Sequence, residues 1–301
     1  MQLGQIRAFL AVRDTGSLRA AARHIGLSQP AISKALAGLE EDLKAQLFIR
    51  TSRGVRLTEA GRTFGARAAA VQAELARARE ELSELRGGTE GSVAVGVGPP
   101  GIALAPSAIT RFRRERPMAR IRIREGTRDV LLPFVRDGSL DFALSERGSH
   151  PVEGGLIFRP LWSTELAIVV RRSNPLAAAT SLAQLTSAAW LLIYRPGAGG
   201  LAEHMFGAAG LPLPTMRVHC ESHATAIALI ANSDLVGLVP TEDVERGGIA
   251  SMLQRVNVRE RLRRPRIGAF MRADTPLSAA AARMLQAFTM AARSSRHTSS
   301  S

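Results

Sequence analysis

The chain has 301 residues and a mass of 32.2 kDa, more than one ordinary core accommodates, so two or three domains are expected. Forty Lys+Arg against 26 Asp+Glu leave a formal charge of +14 and a pI near 11.5, which favours a polyanionic partner, most simply nucleic acid. An apolar fraction of 46% with mean hydropathy +0.03 excludes a disordered chain, and a single cysteine excludes a disulfide framework or a thiolate cluster. No apolar run approaches the roughly 18 residues of a membrane span and no signal-peptide pattern opens the chain, so a cytoplasmic protein with no membrane partner is expected.

The basic charge is almost entirely arginine, with Lys34 and Lys44 the only lysines. Residues 1–90 carry +4 and the remainder +10, so total charge does not single out one half. Position does. Glu40, Glu41 and Asp42 cluster at one end of an expected helix and leave its other end open to phosphates.

Leu3, Ile6, Leu10 and Val12 approximate one helical face ending near Asp14-Thr15-Gly16. Ser17 is an N-cap for a short helix with Leu18, Ala21, Ala22 and Ile25 at i, i+3, i+4, i+7. Gly26 supplies a left-handed C-terminal residue and Ser28 the next N-cap, so only a tight turn separates the two helices. Pro30 falls in the first turn of the third helix, where its missing N–H costs nothing. Ile32, Leu36, Leu39 and Leu43 then face inward, while Pro30, Ser33, Lys34 and Ala37 face away and Gln29 stands at the tip.

This spacing is that of a helix-turn-helix whose outward face is short, polar and slim enough to approach base edges in a major groove. Gln29 offers adenine a paired donor and acceptor, Ser33 can donate or accept, and Lys34 suits a phosphate or guanine. A helical hairpin that merely packs in a bundle would explain the apolar stripe but not the basic and polar tip. Phe48-Ile49-Arg50, Thr51-Ser52-Arg53-Gly54 and Val55-Arg56-Leu57 read as a small hairpin, with Arg53 at its tip for a minor groove and Arg50 bracing a phosphate.

Four stretches, Ser17-Leu18-Arg19-Ala20-Ala21-Ala22, Leu27-Ser28-Gln29-Pro30-Ala31-Ile32-Ser33, Leu47-Phe48-Ile49-Arg50 and Leu57-Thr58-Glu59-Ala60-Gly61, resemble the LysR-type transcriptional regulators. The resemblance implies a winged helix-turn-helix over residues 1–58 in which Gln29, Pro30, Ser33, Lys34 and Arg53 meet double-stranded DNA. It also implies homodimers or homotetramers on an interrupted dyad. Thr58 caps a proline-free stretch to about Arg86, a linker helix over 59–86. Its Phe64, Ala68, Val71, Leu75, Ala78, Leu82 and Leu85 form an a/d seam that calls for a second copy. Residues 87–91, Gly87-Gly88-Thr89-Glu90-Gly91, read as a hinge.

From residue 92 to 301 strands and helices alternate, which argues for a parallel sheet covered on both faces, and the set then repeats. The expected elements are a strand at Val93–Val97, one apolar helix to about Arg114, a strand through Ile121 and Ile123, a helix over Val130–Gly138 and a strand at Leu140–Leu144. Leu166–Val170, Trp190–Ile193, Val218, Leu235–Val239, Arg266–Met271 and a helix from Leu277 to Met290 come after these, with a loose tail from Ser294. The fold class is therefore α/β, with lobe one about 92–163 and 266–293 and lobe two about 164–265. Two such lobes bind ligands where strand ends face a crevice.

Four loops can converge there: Gly98–Gly101, Gly126-Thr127-Arg128, Arg195–Gly200 and Glu221-Ser222-His223, with Ser145 at the crossover between lobes. The candidate effector residues are Pro99, Pro100, Gly101, Thr127, Arg128, Ser145, Arg195, Gly197, Gly199, Glu221 and Ser222. Here the resemblance implies a periplasmic-binding-protein-like effector domain. The family often has serine or threonine in the first loop, so Pro99-Pro100 points to a backbone contact instead. Arg124-Glu125-Gly126-Thr127 and Asp137–Asp141 look like the branch handling aromatic acids, sulfonates and sugars, and Arg128 and Arg195 favour an anionic effector. No cofactor, metal site or catalytic set is expected. The glycine loop lacks the lysine and hydroxyl of a P-loop, and His219-Cys220-Glu221-Ser222-His223 straddles a strand end and a turn, where ligands do not converge. An enzyme on the two lobes, or a solute-binding module whose N-terminal part serves only assembly, are the competing readings.

Overall fold

A computed structural model describes residues 1–51, 54–85, 91–148, 151–152, 154–193, 201–245 and 251–298. The chain divides into two compact units, Met1–Arg86 with Arg136–Ser139, and Gly87–Val135 with Leu140–Ser301.

The first unit runs α1 (Leu3–Thr15), α2 (Leu18–Ile25), α3 (Gln29–Leu43), β1 (Phe48–Thr51), β2 (Gly54–Leu57) and α4 (Glu59–Leu85). Helix α1 buries Ile6, Ala8, Phe9, Leu10, Ala11 and Val12, nearly its whole circumference, because α2 and α3 pack on it along with α4. The single face expected from the sequence is therefore too narrow, and Leu3 lies outside the core at 55% exposure. Gly16 and Gly26 end α1 and α2 with φ of 66° and 72°. Ser17 and Ser28 cap α2 and α3 by accepting from the N–H of Ala20 and Ala31. Strands β1 and β2 pair antiparallel with Phe48 opposite Leu57 and Arg50 opposite Val55. Phe9 ties this wing to α4: its ring centroid is 5.1 Å from that of Phe48 and 5.0 Å from that of Phe64, the latter edge-on.

The second unit holds two five-stranded sheets. In lobe one the order is β4-β3-β5-β12-β6, built from β3 (Ser92–Val97), β4 (Arg120–Glu125), β5 (Phe142–Glu146), β6 (Leu156–Ser163) and β12 (Arg266–Arg272). In lobe two it is β11-β7-β10-β8-β9, built from β7 (Leu166–Arg171), β8 (Trp190–Leu192), β9 (Met216–His219), β10 (Val236–Pro240) and β11 (Leu253–Val256). The sheets are mixed rather than purely parallel: β3 pairs parallel with β4 and β5, but β12 runs antiparallel to β5 and β6, and β7 to β10 and β11. The chain enters lobe two through Thr164-Glu165 and returns before β12, and a strand that re-enters a sheet from the other lobe arrives reversed.

Helices α5 (Pro99–Ile102), α6 (Ala105–Glu115), α7 (Arg128–Arg136) and α11 (Ala279–Thr298) belong to lobe one. The expected single helix to Arg114 breaks into α5 and α6, since Pro106 has no N–H to give the Ile102 carbonyl. Val95, Phe112, Phe142, Ile267, Met284 and Phe288 form the core on one face of the sheet, and Leu131, Val135, Ala143 and Leu156 that on the other. The chain from Ser294 to Thr298 is helical rather than loose: the alanine-rich run of α11 propagates past Ala292, the last buried residue among those whose burial is described. In lobe two, α8 (Leu201–Ala208) covers one sheet face and α9 (His223–Ala231) the other, with α10 (Glu242–Glu245) after β10. The Trp190 indole is fully buried and donates to the Leu185 carbonyl at 2.9 Å. No helix among the described residues is long and apolar enough to cross a membrane.

Candidate nucleic-acid interface and effector crevice

The stripe Ile32, Leu36 and Leu39 holds α3 in the core of the first unit and turns its opposite face outward. Ser28, Gln29, Pro30 and Lys34 are exposed and Ser33 is half-buried. The first turn of α3 carries no acidic residue, so its free N–H groups and the positive end of the helix dipole stand beside these side chains. At the far end, the Glu40 carboxylate accepts from the N–H of Leu47 at 2.6 Å and of Phe48 at 3.2 Å. One member of the acidic cluster expected at this end of the helix thus braces the start of the wing; only the turn after α3 brings those N–H groups back to it. Arg50 lies in β1, whereas Arg53 falls outside the described residues.

The expected seam on α4 splits in two. Phe64 and Ala68 pack in the core of the first unit, while Val71, Leu75 and Leu82 are 44%, 37% and 56% exposed. A row of large apolar side chains on a helix of 27 residues, about 40 Å at a rise of roughly 1.5 Å per residue, has no partner in the described chain.

In the second unit the two lobes meet where α5 touches β10 and where Glu125 at the end of β4 reaches the start of α9, and this is the crevice between them. Pro99, Pro100, Gly101 and Thr127 are all buried. Arg128 opens α7, and its guanidinium donates to the Arg147 carbonyl at 3.0 Å beside Asp129, which engages the cation expected to take an anion. Ser145 is not at the crossover between lobes. It sits inside β5 opposite Gly268 of β12, fully buried, because the strand begins two residues later than its sequence pattern suggests. The crossovers are Thr164-Glu165 and the segment from 257 to 265, joined where the Thr164 N–H donates to the Pro265 carbonyl at 3.2 Å. Ser222 caps α9 by accepting from the Thr225 N–H at 3.3 Å, and Glu221 beside it is exposed. Arg195, Gly197 and Gly199 lie outside the described residues.

Sequence reading did not place Glu125, Thr241 or Asp243 in this crevice and left His223 out of the effector set. Glu125, at the end of β4 in lobe one, accepts from the His223 N–H in lobe two at 2.8 Å, a carboxylate placed on the N-terminus of α9. His223 is itself buried, with Nε2 2.9 Å from Asp243 Oδ2, although ring and carboxylate are not aligned for a hydrogen bond. Thr241, two residues before Asp243, is buried as well. Nothing in the local sequence announces Asp243 or Thr241; they reach the crevice because β10 ends there. A separate cavity of about 570 Å³ lies at the crossover, lined by Leu166, Arg255, Val256 and Arg261 among others, and none of the expected effector residues lines it.

A helix-turn-helix with a paired-strand wing, joined in one chain to two α/β lobes, is an architecture shared by DNA-binding regulators that carry a ligand-sensing domain. Residues 3–62 match the model described as bacterial regulatory helix-turn-helix protein, lysR family, and residues 86–293 match the LysR substrate binding domain. The chain belongs to the LysR family of transcriptional regulators. It is 33% identical over 261 residues to the HTH-type transcriptional regulator GalR of Pseudomonas putida; the match covers 85% of this chain and 65% of that protein, just under two thirds of its length. It is also 33% identical over 243 residues to GbpR of Azospirillum brasilense, covering 78% of this chain and 70% of the relative. Among solved structures, CbnR, a LysR family transcriptional regulator, superposes with a TM-score of 0.70 at 22% identity over 97% of this chain and 99% of its own. Full-length CbnR complexed with its target DNA gives 0.66 at 23% identity over 98% and 100%. These two likenesses are of fold.

Proposed function

We propose that the protein binds a specific double-stranded DNA site as a homodimer, or as a homotetramer built from dimers, and that a small effector between the two lobes modulates that binding. The observation that carries this reading is the division of α3: Ile32, Leu36 and Leu39 are sealed in the core while Gln29, Pro30 and Lys34 stand free at the helix N-terminus. In the reading, Gln29 and Ser33 address base edges, and Ser28, Lys34 and Arg50 hold phosphates, with Pro30 keeping the approach slim and Arg53 entering the minor groove. The exposed row Val71, Leu75 and Leu82 pairs with its symmetry mate, and a two-fold protein then reads a two-fold site.

The working domains are 1–58 for DNA, 59–86 for dimerisation, 87–91 as hinge and 92–301 for the effector, an aromatic acid, sulfonate or sugar. Such a ligand acts only through its differential affinity for two lobe arrangements. The relatives being transcriptional regulators supports binding without turnover, and a DNA target supports a cytoplasmic location. Footprinting and anisotropy against specific and random duplexes test the reading. Affinity that steepens with falling salt and prefers one sequence supports it. Specific binding unaltered in a Gln29→Ala/Arg53→Ala double variant overturns it.

A further inference from the structure

We infer that the effector is a hydroxyl-bearing compound recognised by a buried set made of Ser145, His223, Thr241 and Asp243; this rests on the reading that the crevice holds an effector.

Ser145 Oγ, Thr241 Oγ1, both ring nitrogens of His223 and Asp243 Oδ2 are buried and form no hydrogen bond with the described residues. Isolated unsatisfied atoms of this kind are uncommon in a folded protein, and these four residues come from separate stretches of both lobes. Ser145 belongs to β5 of lobe one and lies beside Gly98, where an added Cβ would be 3.2 Å from its Oγ. Gly98 leads into α5, which touches β10 of lobe two. Thr241 comes directly after β10, its N–H given to the Glu165 carbonyl, and Asp243 comes two residues later with its carboxylate against His223. His223 in turn gives its backbone N–H to Glu125 of lobe one. The unsatisfied atoms therefore sit where both lobes contribute, at strand ends, the position at which α/β sheets take ligands.

Their chemistry narrows the ligand. A carboxylate or sulfonate has acceptors only; it would suit the two hydroxyls but would set another negative charge beside Asp243 and Glu125. A hydroxyl is donor and acceptor at once. It can give its proton to Asp243 Oδ2 while accepting from His223, Ser145 or Thr241, so one hydroxyl serves both an acceptor and a donor of this set without a new charge, and a second hydroxyl on the same ligand can serve others. Aliphatic polyols and phenolic hydroxyls share this chemistry.

Calorimetric titration of the full-length protein separates the possibilities. Inositol and glucose form the aliphatic arm, catechol and dihydroxybenzoate the phenolic arm, and benzoate and benzenesulfonate the hydroxyl-free controls. We expect a probe from one hydroxylated arm to bind about tenfold or more tightly than either control. Asp243→Asn, Ser145→Ala and the near-isosteric Thr241→Val should each weaken that probe by about tenfold, with unliganded melting temperatures recorded to show that each variant is folded. Controls that bind as tightly as their hydroxylated counterparts, and lose affinity on the same substitutions, overturn the hydroxyl assignment while the crevice keeps its effector. Binding indifferent to all three substitutions, or no binding by any probe, overturns the assignment, with bridging water alone satisfying these atoms, and removes the support for an effector in the crevice.

Discussion

Glu40, near the end of the helix proposed to read DNA, holds the main chain of Leu47 at 2.6 Å, so the recognition helix and the wing are fastened by one carboxylate. Its second acceptance, from Phe48 at 3.2 Å, makes the bracket two-pronged. Glu40→Ala leaves two N–H groups without their partner and should destabilise the first unit by about 1.5–3 kcal/mol. Chemical denaturation of the full chain measures this. Glu40→Gln, which keeps one acceptor, should recover part of the loss.

Gly61, in the first turn of α4, has no room for a side chain. An added Cβ would collide with the Leu47 carbonyl, a backbone atom, and would press on the Leu57 side chain at 3.0 Å. Gly61→Ala should therefore cost about 1–3 kcal/mol despite the higher helix propensity of alanine. A melting temperature equal to that of the unaltered protein would show that α4 shifts freely against the wing.

Lys34 and Gln29 should fail differently. Removal of a phosphate contact in Lys34→Ala weakens all duplexes alike and lowers the slope of log affinity against log salt by about 1. Gln29→Ala should instead cost about 1–3 kcal/mol of discrimination at one base pair and leave the salt slope unchanged. Anisotropy titrations over a salt series distinguish the two patterns.

Leu75 marks the centre of the exposed row on α4. Leu75→Glu places like charges against each other across a two-fold seam and should convert the assembly to monomers at micromolar concentration. Sedimentation equilibrium reads the outcome. A dimer of undiminished strength would move the interface off α4.

Glu125 links the lobes by capping α9 through the His223 N–H. Glu125→Ala removes an interaction worth about 0.3–1 kcal/mol in such a setting, so the lobes should separate more readily without unfolding. Small-angle scattering of the unliganded protein should show a larger radius of gyration, whereas an unchanged curve would leave the lobes held by the contact of α5 with β10.

The helix-turn-helix was legible because its signals are local. Ser17, Gly26, Ser28 and Pro30 act within a few residues of themselves, and Ile32, Leu36 and Leu39 mark a face by spacing alone. The crevice was legible only as a place. Pro99–Gly101 and Thr127 from its expected loops are buried, but the register of β5 moved Ser145 from a crossover into a strand. Strands β6 and β11 left no alternating pattern strong enough to be read, since β6 buries only Leu156 and Trp162 fully and β11 only Leu253 and Val256.

What the order of residues determined by itself was the set of elements and the outward face of α3, because caps, turns and helical periodicity depend on neighbours within one or two turns. The tertiary structure decided which distant groups meet. Glu40 finds the Leu47 N–H, and His223 finds both Asp243 and Glu125, only after strands and helices from separate stretches have docked. Hydrophobic burial imposes that docking and is indifferent to direction, so the polar partners it brings together carry no periodic trace in the chain.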